Sequence, residues 1–394
     1  MKTLKDVDIK SKRVLVRVDF NEPLDENGSV KDDFRIKATL PTLQYLIEKK
    51  CKLILMTHVG RPNGKIIEKF RTDGAARKLE KLIFEKVEKL DDCVGDKVKS
   101  RIENSSSKII LLENLRFYKG EESNDEDFAK KLSELGEFYV NDAFANCHRS
   151  HASMVKVPKF LPSAAGLLVE KEVVRLSEVR DNPKRPFTFI LGGAKLETKM
   201  PLLKSFVQKA DNVLVGGKIA NTLLKASGVN VGASKVEGKF LSEVATLVPK
   251  IADANLKIPV DVAVSKQKEL EDTKLGEKPL DARICDVKDI KDNEIIYDVG
   301  PRTLRIFGTI ISNSKMILWN GPMGYFEKMG FGEGTKGLVD ALAKCDAETI
   351  VGGGETVDFL GDVGARDKMN FISTGGGAML NFLKDGKLVA LELL

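Results

Sequence analysis

Short, β-branched apolar runs alternate along this chain with longer stretches whose apolar residues fall three and four apart. In the first half the runs are 14–20, 53–57, 108–112 and 138–140. In the second half they are 187–191, 212–215, 258–264, 295–299, 316–319, 349–351 and 371–373. Segments such as 77–84 and 337–343 carry the helical spacing between them. Strands that alternate with helices predict parallel sheets covered on both faces. Eleven runs exceed one ordinary sheet, so the expected fold is α/β, with two doubly wound parallel-sheet (Rossmann-like) lobes. A closed barrel is the structural rival, and the irregular length of the helical segments argues against it. Residues 166–180 read as one helix, which Pro183 and Pro186 break. The expected limits are a first lobe over 1–165, an interdomain helix or hinge over 166–186 and a second lobe over 187–378.

Charge and cysteine content narrow the function. The net charge is +6, with a surplus of five basic residues in 1–165 and of one in the rest. That surplus is too small for a nucleic-acid footprint, but it biases the first half toward small anions. No apolar run approaches the length of a membrane span. Met1 to Lys12 is charged, so no secretory signal is expected. Five scattered cysteines exclude a disulfide framework and any C-x-x-C motif, and fit a cytoplasmic protein.

Ligands of parallel α/β sheets bind beyond the carboxyl ends of the strands. In the first half those ends carry Asp19-Phe-Asn21, His58-Val-Gly-Arg-Pro62, Glu113-Asn-Leu-Arg116 and Asn141-Asp142, with His148-Arg-Ser-His151 beyond. Arg35, Arg61, Arg116, Arg149 and His58 are therefore expected at one rim, where guanidinium forks suit a small, multiply charged anion. A lone arginine is usually a solvated surface charge; four at equivalent places weaken that reading. In the second half the strand ends carry Gly192-Gly193, Gly216-Gly217, Asp298-Val-Gly-Pro301, Asn320-Gly-Pro-Met-Gly324, Gly352-Gly-Gly-Glu-Thr356 and Gly375-Gly-Gly377. Each alone is a turn signal, and six together argue for a polyphosphate nucleotide. Neither G-x-x-x-x-G-K-[ST] nor an early G-x-G-x-x-G occurs, and the segment 330–334 reads as a flexible connection. The repeat 352–360 against 375–383 is the one internal echo.

Other constellations are weaker. His58, His148 and His151 would make a zinc site only with an arginine between two of its ligands. Asp19 and Asp142 suggest an acid–base pair, but nearby arginines favour structural or orienting roles. The cysteines read as buried hydrophobes, with Cys147, beside His148, the one candidate for reactivity.

An anion-binding lobe followed by a nucleotide-binding lobe describes a kinase. The motifs Arg17-Val-Asp-Phe-Asn-Glu-Pro23, His58-Val-Gly-Arg-Pro62, Glu113-Asn-Leu-Arg-Phe117, His148-Arg-Ser-His-Ala-Ser153, Gly192-Gly-Ala-Lys195, Trp319-Asn-Gly-Pro322, Gly352-Gly-Gly354 and Ser373-Thr-Gly-Gly-Gly377 occur in that order. On these the chain resembles the phosphoglycerate kinase family, end to end. The resemblance implies reversible transfer of the acyl phosphate of 1,3-bisphosphoglycerate to MgADP, giving 3-phosphoglycerate and MgATP. It implies that Asp19, Asn21, Arg35, His58, Arg61, Arg116 and Arg149 hold the triose. Arg35, Lys195 and the amides of Gly375, Gly376 and Gly377 would meet the transferring group. Gly192, Gly193, Lys199, Gly216, Gly217, Asn320, Pro322, Glu327, Gly352, Gly353, Gly354, Glu355 and Thr356 would serve the nucleotide, and Glu355 its Mg²⁺. The family is usually monomeric and closes about a hinge; the tail 379–394 is expected to pack back on the first lobe. Glu355 stands where the family has an aspartate. Lys218, Ile296 and Tyr325 also depart from the pattern near the nucleotide, as do Glu22 and Met379 elsewhere. A nicotinamide dehydrogenase and a non-catalytic two-lobed binding protein are the rival readings. The first lacks its dinucleotide fingerprint, and the second belongs to a class that is usually exported.

Overall fold

The computed structural model describes residues 1–252, 255–266, 282–327 and 331–394. The chain divides into two compact units, Met1–Ser177 with Asp385–Leu394, and Glu178–Lys384. In the first unit, β1 (Arg13–Arg17), β2 (Lys52–Met56), β3 (Val87–Lys89), β4 (Ile109–Leu111), β5 (Phe138–Asn141) and β6 (Ser163–Ala165) form one sheet in the order β3-β4-β2-β1-β5-β6. All its pairings are parallel. Val14, Val16, Leu53 and Leu55 pack into a core on one face, and Leu15, Ile54, Met56 and Tyr139 into a second core on the other. Burial on both faces is why these strands read as unbroken apolar runs. Strands β3 and β6 carry no such signal: they are three residues long and lie at the sheet's edges. The C-terminal segment is tied to this unit, with the Ala390 N–H donating to the Cys147 carbonyl (3.1 Å) and the Ser163 hydroxyl to the Leu393 carbonyl (3.0 Å).

The helix Leu167–Asp181 starts against this unit. Thr42 Oγ1 accepts from the Leu167 N–H (2.9 Å) and Asp142 Oδ1 from that of Leu168 (3.0 Å). A side chain at Gly166 would place Cβ 2.1 Å from Asp142 Oδ1, so glycine is required there. Asp142 is thus a helix cap and not half of an acid–base pair with Asp19. Burial pushes its carboxyl up to about 7, against the pull of Thr42 and the backbone N–H groups. The folded protein therefore holds this proton between about pH 4 and 7 while the unfolded chain releases it. Stability should fall over that window by roughly 2–4 kcal/mol and stay lower above it. Asp142→Asn, which cannot ionise, should gain on the wild type in melting temperature between pH 5 and pH 8; parallel pH profiles would refute the assignment.

The second unit holds β7 (Phe187–Leu191), β8 (Asn212–Val215), β9 (Leu256–Lys257), β10 (Asp261–Lys266), β11 (Arg283–Asp286), β12 (Glu294–Val299), β13 (Met316–Asn320), β14 (Glu348–Gly352) and β15 (Phe371–Ile372). Six of them form a parallel sheet in the order β15-β14-β13-β7-β8-β9. The runs 258–264 and 295–299 do not join it. Pro259 interrupts the first, and β10 and β12 pair antiparallel in a separate sheet of order β11-β10-β12. Apolar periodicity marks a strand but not its partner, so this small sheet was invisible in the sequence. The helical patterns at 77–84 and 337–343 lie within the helices Asp73–Ile83 and Glu333–Leu342, apart from their last residues.

Candidate active site

In the first unit the loops after β1, β2 and β4 are stitched together by their polar side chains. Asn21 Oδ1 accepts from the Gly60 N–H (2.7 Å), and Asn114 exchanges hydrogen bonds with both backbone groups of Val59 (3.2 and 2.7 Å). Arg116 Nη1 donates to the Gly60 carbonyl (2.8 Å). Glu113 anchors the base of this assembly, accepting from Thr72, Arg71 and Lys89. Asp19 sits between two candidates, with Oδ1 3.8 Å from His58 Nδ1 and Oδ2 3.7 Å from Arg35 Nε. Arg61 is exposed on the same loop as His58.

Beneath these residues lies a fully buried arginine. Arg17, the last residue of β1, donates through Nε to Ser153 Oγ (2.9 Å) and through Nη1 to the Val18 carbonyl. Its Nη2 is 3.3 Å from His58 Nδ1 and 4.0 Å from Glu121 Oε1. A guanidinium only donates, so Nδ1 of His58 accepts and its proton resides on Nε2. Burial first, then Arg17, Arg116, Arg149 and His151, hold the His58 pKa well below its ordinary value. His58 is thus a neutral donor of fixed tautomer. Burial and the neighbouring cations likewise bring His151 down to about 4 and Arg116 down to about 10. Arg116 Nη2 and Arg149 Nε are buried and make no hydrogen bond among the described residues. A cluster of cationic groups that lower one another's pKa and retain unused donors is built to receive an anion.

In the second unit the glycine loops converge. The Gly192 N–H donates to the Asn320 carbonyl (3.0 Å), Gly193 to Pro322 (2.8 Å) and Gly217 to Met323 (2.8 Å). Asn320 Nδ2 donates to the Gly352 carbonyl (2.8 Å), and Thr356 Oγ1 accepts from the Gly321 N–H (2.9 Å). A Cβ at Gly376 would lie 2.9 Å from the Gly353 Cα, so the last two loops touch. Lys199 Nζ is buried among them and donates to the Gly192 carbonyl (2.6 Å). Burial lowers its pKa to about 8, with Glu355 opposing and Lys195 reinforcing the shift. Lys195 is exposed and immediately precedes the helix Leu196–Lys209. Gly353, before the helix Gly354–Asp362, has φ +106° and offers no capping side chain. The N-terminus of that helix is therefore left for a ligand. Beside the loops is a cavity of about 610 Å³ with Pro259, Val262, Ile296, Val299 and Met323 on its apolar wall. Lys218, Asn221, Tyr325, Glu327 and Glu355 are polar members of its lining. Size and lining suit a nucleotide.

The phosphoglycerate kinase family model matches residues 4–387. The chain belongs to the phosphoglycerate kinase family. It is 43% identical over 398 residues to the phosphoglycerate kinase of Desulforapulum autotrophicum, covering 100% of both chains. It is 44% identical over 396 residues to that of Finegoldia magna, covering 98% of this chain and 97% of the relative. Among solved structures, the phosphoglycerate kinase of Coxiella burnetii superposes with a TM-score of 0.83 at 36% identity, covering 99% of this chain and 98% of that one. That of Pyrococcus horikoshii OT3 gives 0.85 at 32% identity, covering 100% and 98%. The reaction is the glycolytic, reversible transfer of the acyl phosphate of 1,3-bisphosphoglycerate to ADP, and the protein is a phosphotransferase with a carboxyl acceptor.

Several residues of this chain sit differently from their sequence reading. The loop 298–301 is not a phosphate cradle. Asp261 accepts from the Arg302 and Thr303 N–H groups and so occupies that helix N-terminus, and a Cβ at Gly300 would meet its carboxyl carbon at 2.4 Å. Asp298 instead braces Gly334 through its N–H (2.7 Å), which makes 331–334 the ordered start of the helix Glu333–Leu342; Gly330 lies outside the described residues. Cys147 is buried, and burial pushes its thiol up, which removes it as a nucleophile. No group of three His, Cys, Asp or Glu side chains able to hold a metal occurs among the described residues, and no described helix is long and apolar enough to cross a membrane. Met379 packs against Gly352, and Lys218 Nζ is paired with Glu237 (2.6 Å). Arg17 and Glu22, which the sequence marks only as motif members, and Glu121, which it does not mark, also contact the expected site residues or one another. The available signal was a charge inside an apolar run, such as Arg17 within 14–20.

Proposed function

We propose that Asp19, Asn21, Arg35, His58, Arg61, Arg116 and Arg149 hold the triose, and that the glycine loops with Lys199, Asn320, Glu327 and Thr356 hold the nucleotide. Arg35, Lys195 and the amides of Gly375, Gly376 and Gly377 receive the transferring group. The observation that carries this reading is the neutral, tautomer-locked His58 among Arg116 and Arg149, whose buried Nη2 and Nε donors, respectively, make no hydrogen bond among the described residues. In the direction that consumes ATP the nucleophile is the 3-phosphoglycerate carboxylate. It is ionised at neutral pH, so no general base is needed. What remains for the protein is alignment and neutralisation of charge on the moving group. Mg²⁺, carried with the nucleotide, would offset phosphate charge. Glu355, exposed at the cavity, is the carboxylate that would hold it, in keeping with the one or two carboxylates that suffice when phosphates supply other ligands. The reading includes a cytoplasmic monomer that closes about 166–186 when both substrates are bound. Compaction in small-angle scattering only with both ligands present tests the closure.

Lys199 provides the direct test of the nucleotide half. Above about pH 8 its buried amine is largely neutral in the free protein. Arriving phosphates favour the ammonium, so MgADP binding near pH 8.5 should take up a proton. Calorimetric titration in two buffers of different ionisation enthalpy reads that uptake directly. Wild-type affinity should fall as the pH rises above 8. Lys199→Met should abolish the uptake and weaken MgADP by about 10- to 100-fold. An unchanged uptake in the variant would remove Lys199 from the site. The same titration on Glu355→Asp, with Mg²⁺ and Mn²⁺ compared, tests the metal assignment.

A further inference from the structure

The helix Phe34–Glu48 begins after Asp33, whose side chain does not cap it. The missing acceptor comes from the loop after β1. Glu22 Oε1 accepts from the N–H groups of Arg35 (2.6 Å) and Ile36 (3.2 Å). Its other oxygen, Oε2, accepts from Nη1 of the same Arg35 (3.3 Å), which also donates to the Asn21 carbonyl (2.6 Å). Glu22 is 6% exposed, so this is a desolvated contact and not a surface ion pair. One carboxylate therefore fixes the backbone and the guanidinium of a single arginine. Arg35 Nε makes no hydrogen bond among the described residues and lies 3.7 Å from Asp19.

We propose that Glu22 is a positioning residue for phosphoryl transfer: it holds the Arg35 guanidinium so that the donors it leaves free meet the transferring group. The proposal rests on the assignment of Arg35 made above. An arginine side chain loses rotamer entropy when it is ordered, and Glu22 meets that loss before substrate arrives. The benefit belongs to the transfer step, since Arg61, Arg116, Arg149 and His58 remain to bind the triose. A carboxylate beside an anion site also opposes triose binding. Burial pushes the Glu22 carboxyl up to about 7 against the pull of Arg35 and the two N–H groups, so its charge is complete only above that pH. In assays at about pH 8 or above, removing the charge should therefore lower kcat without raising KM for 3-phosphoglycerate, a split that general loosening of the site would not produce.

Glu22→Gln separates the two roles. An amide oxygen can still cap the Arg35 and Ile36 N–H groups, while the amide nitrogen cannot accept from Nη1. In steady-state assays with 3-phosphoglycerate and MgATP, Glu22→Gln should lose about 10-fold or more in kcat. Its KM for 3-phosphoglycerate should stay within about twofold of the wild type or fall, and its melting temperature should stay close to it. Glu22→Val should lose the same kcat and also melt lower. Arg35→Ala should lose about 100-fold or more, and adding Glu22→Gln to it should change kcat no further. Wild-type kcat in Glu22→Gln alongside a disabled Arg35→Ala would overturn the positioning role while leaving the Arg35 assignment intact. Additive losses in the double variant would overturn it too, because the effect would then not run through Arg35. Wild-type turnover in Arg35→Ala would overturn the assignment of Arg35 itself, and the role of Glu22 with it.

Discussion

Lys195→Ala is expected to lower kcat by about 10²–10³ with little change in triose affinity. Lys195 stands at the junction between the glycine loop after β7 and the helix Leu196–Lys209. The loop is held by backbone hydrogen bonds from Gly192 and Gly193 to the 320–322 segment, and Gly193 in turn accepts from the Lys218 N–H (3.1 Å). The backbone bearing Lys195 is thus fixed while its ammonium remains exposed. An exposed cation on a fixed backbone is expected to contribute little to binding either ground state. It contributes most where negative charge is in transit between two oxygens and neither substrate's own contacts neutralise it. Lys199, four residues on, is instead buried and donates to the Gly192 carbonyl. Near-normal kcat in Lys195→Ala, with binding of both substrates intact by calorimetry, would take Lys195 out of the transfer step.

The second large effect is expected from Arg17→Met, which should destabilise the protein by about 3–5 kcal/mol. Arg17 and Glu121 both have side chains of 0% exposure. Glu121 keeps hydrogen bonds from the Ser153 N–H (3.0 Å) and hydroxyl (2.6 Å), but without Arg17 its charge has no buried counterion of fixed protonation. His151, 3.8 Å away, has its pKa held down to about 4 by burial and by nearby arginines. Adding Glu121→Gln should restore much of the stability, since the amide keeps an acceptor for Ser153 and carries no charge. It should not restore triose affinity, because His58 would still be free to exchange tautomers. Denaturant unfolding followed by circular dichroism, with 3-phosphoglycerate titration of the double variant, checks both halves. A loss below about 1 kcal/mol in Arg17→Met would show that the buried pair is not coupled as described.

Much of this protein was legible in the order of its residues. Runs such as 14–20 and 316–319 announce buried strands because parallel strands covered on both faces are apolar at every position. Residues beyond strand ends, such as His58 and Arg116, could be grouped because parallel strands deliver their carboxyl ends to one edge. Glycines at 192, 193 and 217 marked close backbone approach, and the Gly217 Cβ position, 2.7 Å from the Gly193 nitrogen, gives the steric reason. What periodicity and spacing do not carry is the identity of a partner. Strand β10 pairs with β11 and β12 and not with the parallel sheet. Asp142 caps a helix although it follows a strand like its functional neighbours. Glu22 reaches the N-terminus of a helix whose own preceding residue fails to cap it. Residue order determined which groups this chain could place at the ends of its strands, because that depends on local geometry alone. Only the tertiary structure decided which charges meet in the absence of water, and burial together with that pairing is what makes His58 a neutral donor and Lys199 a titrating one.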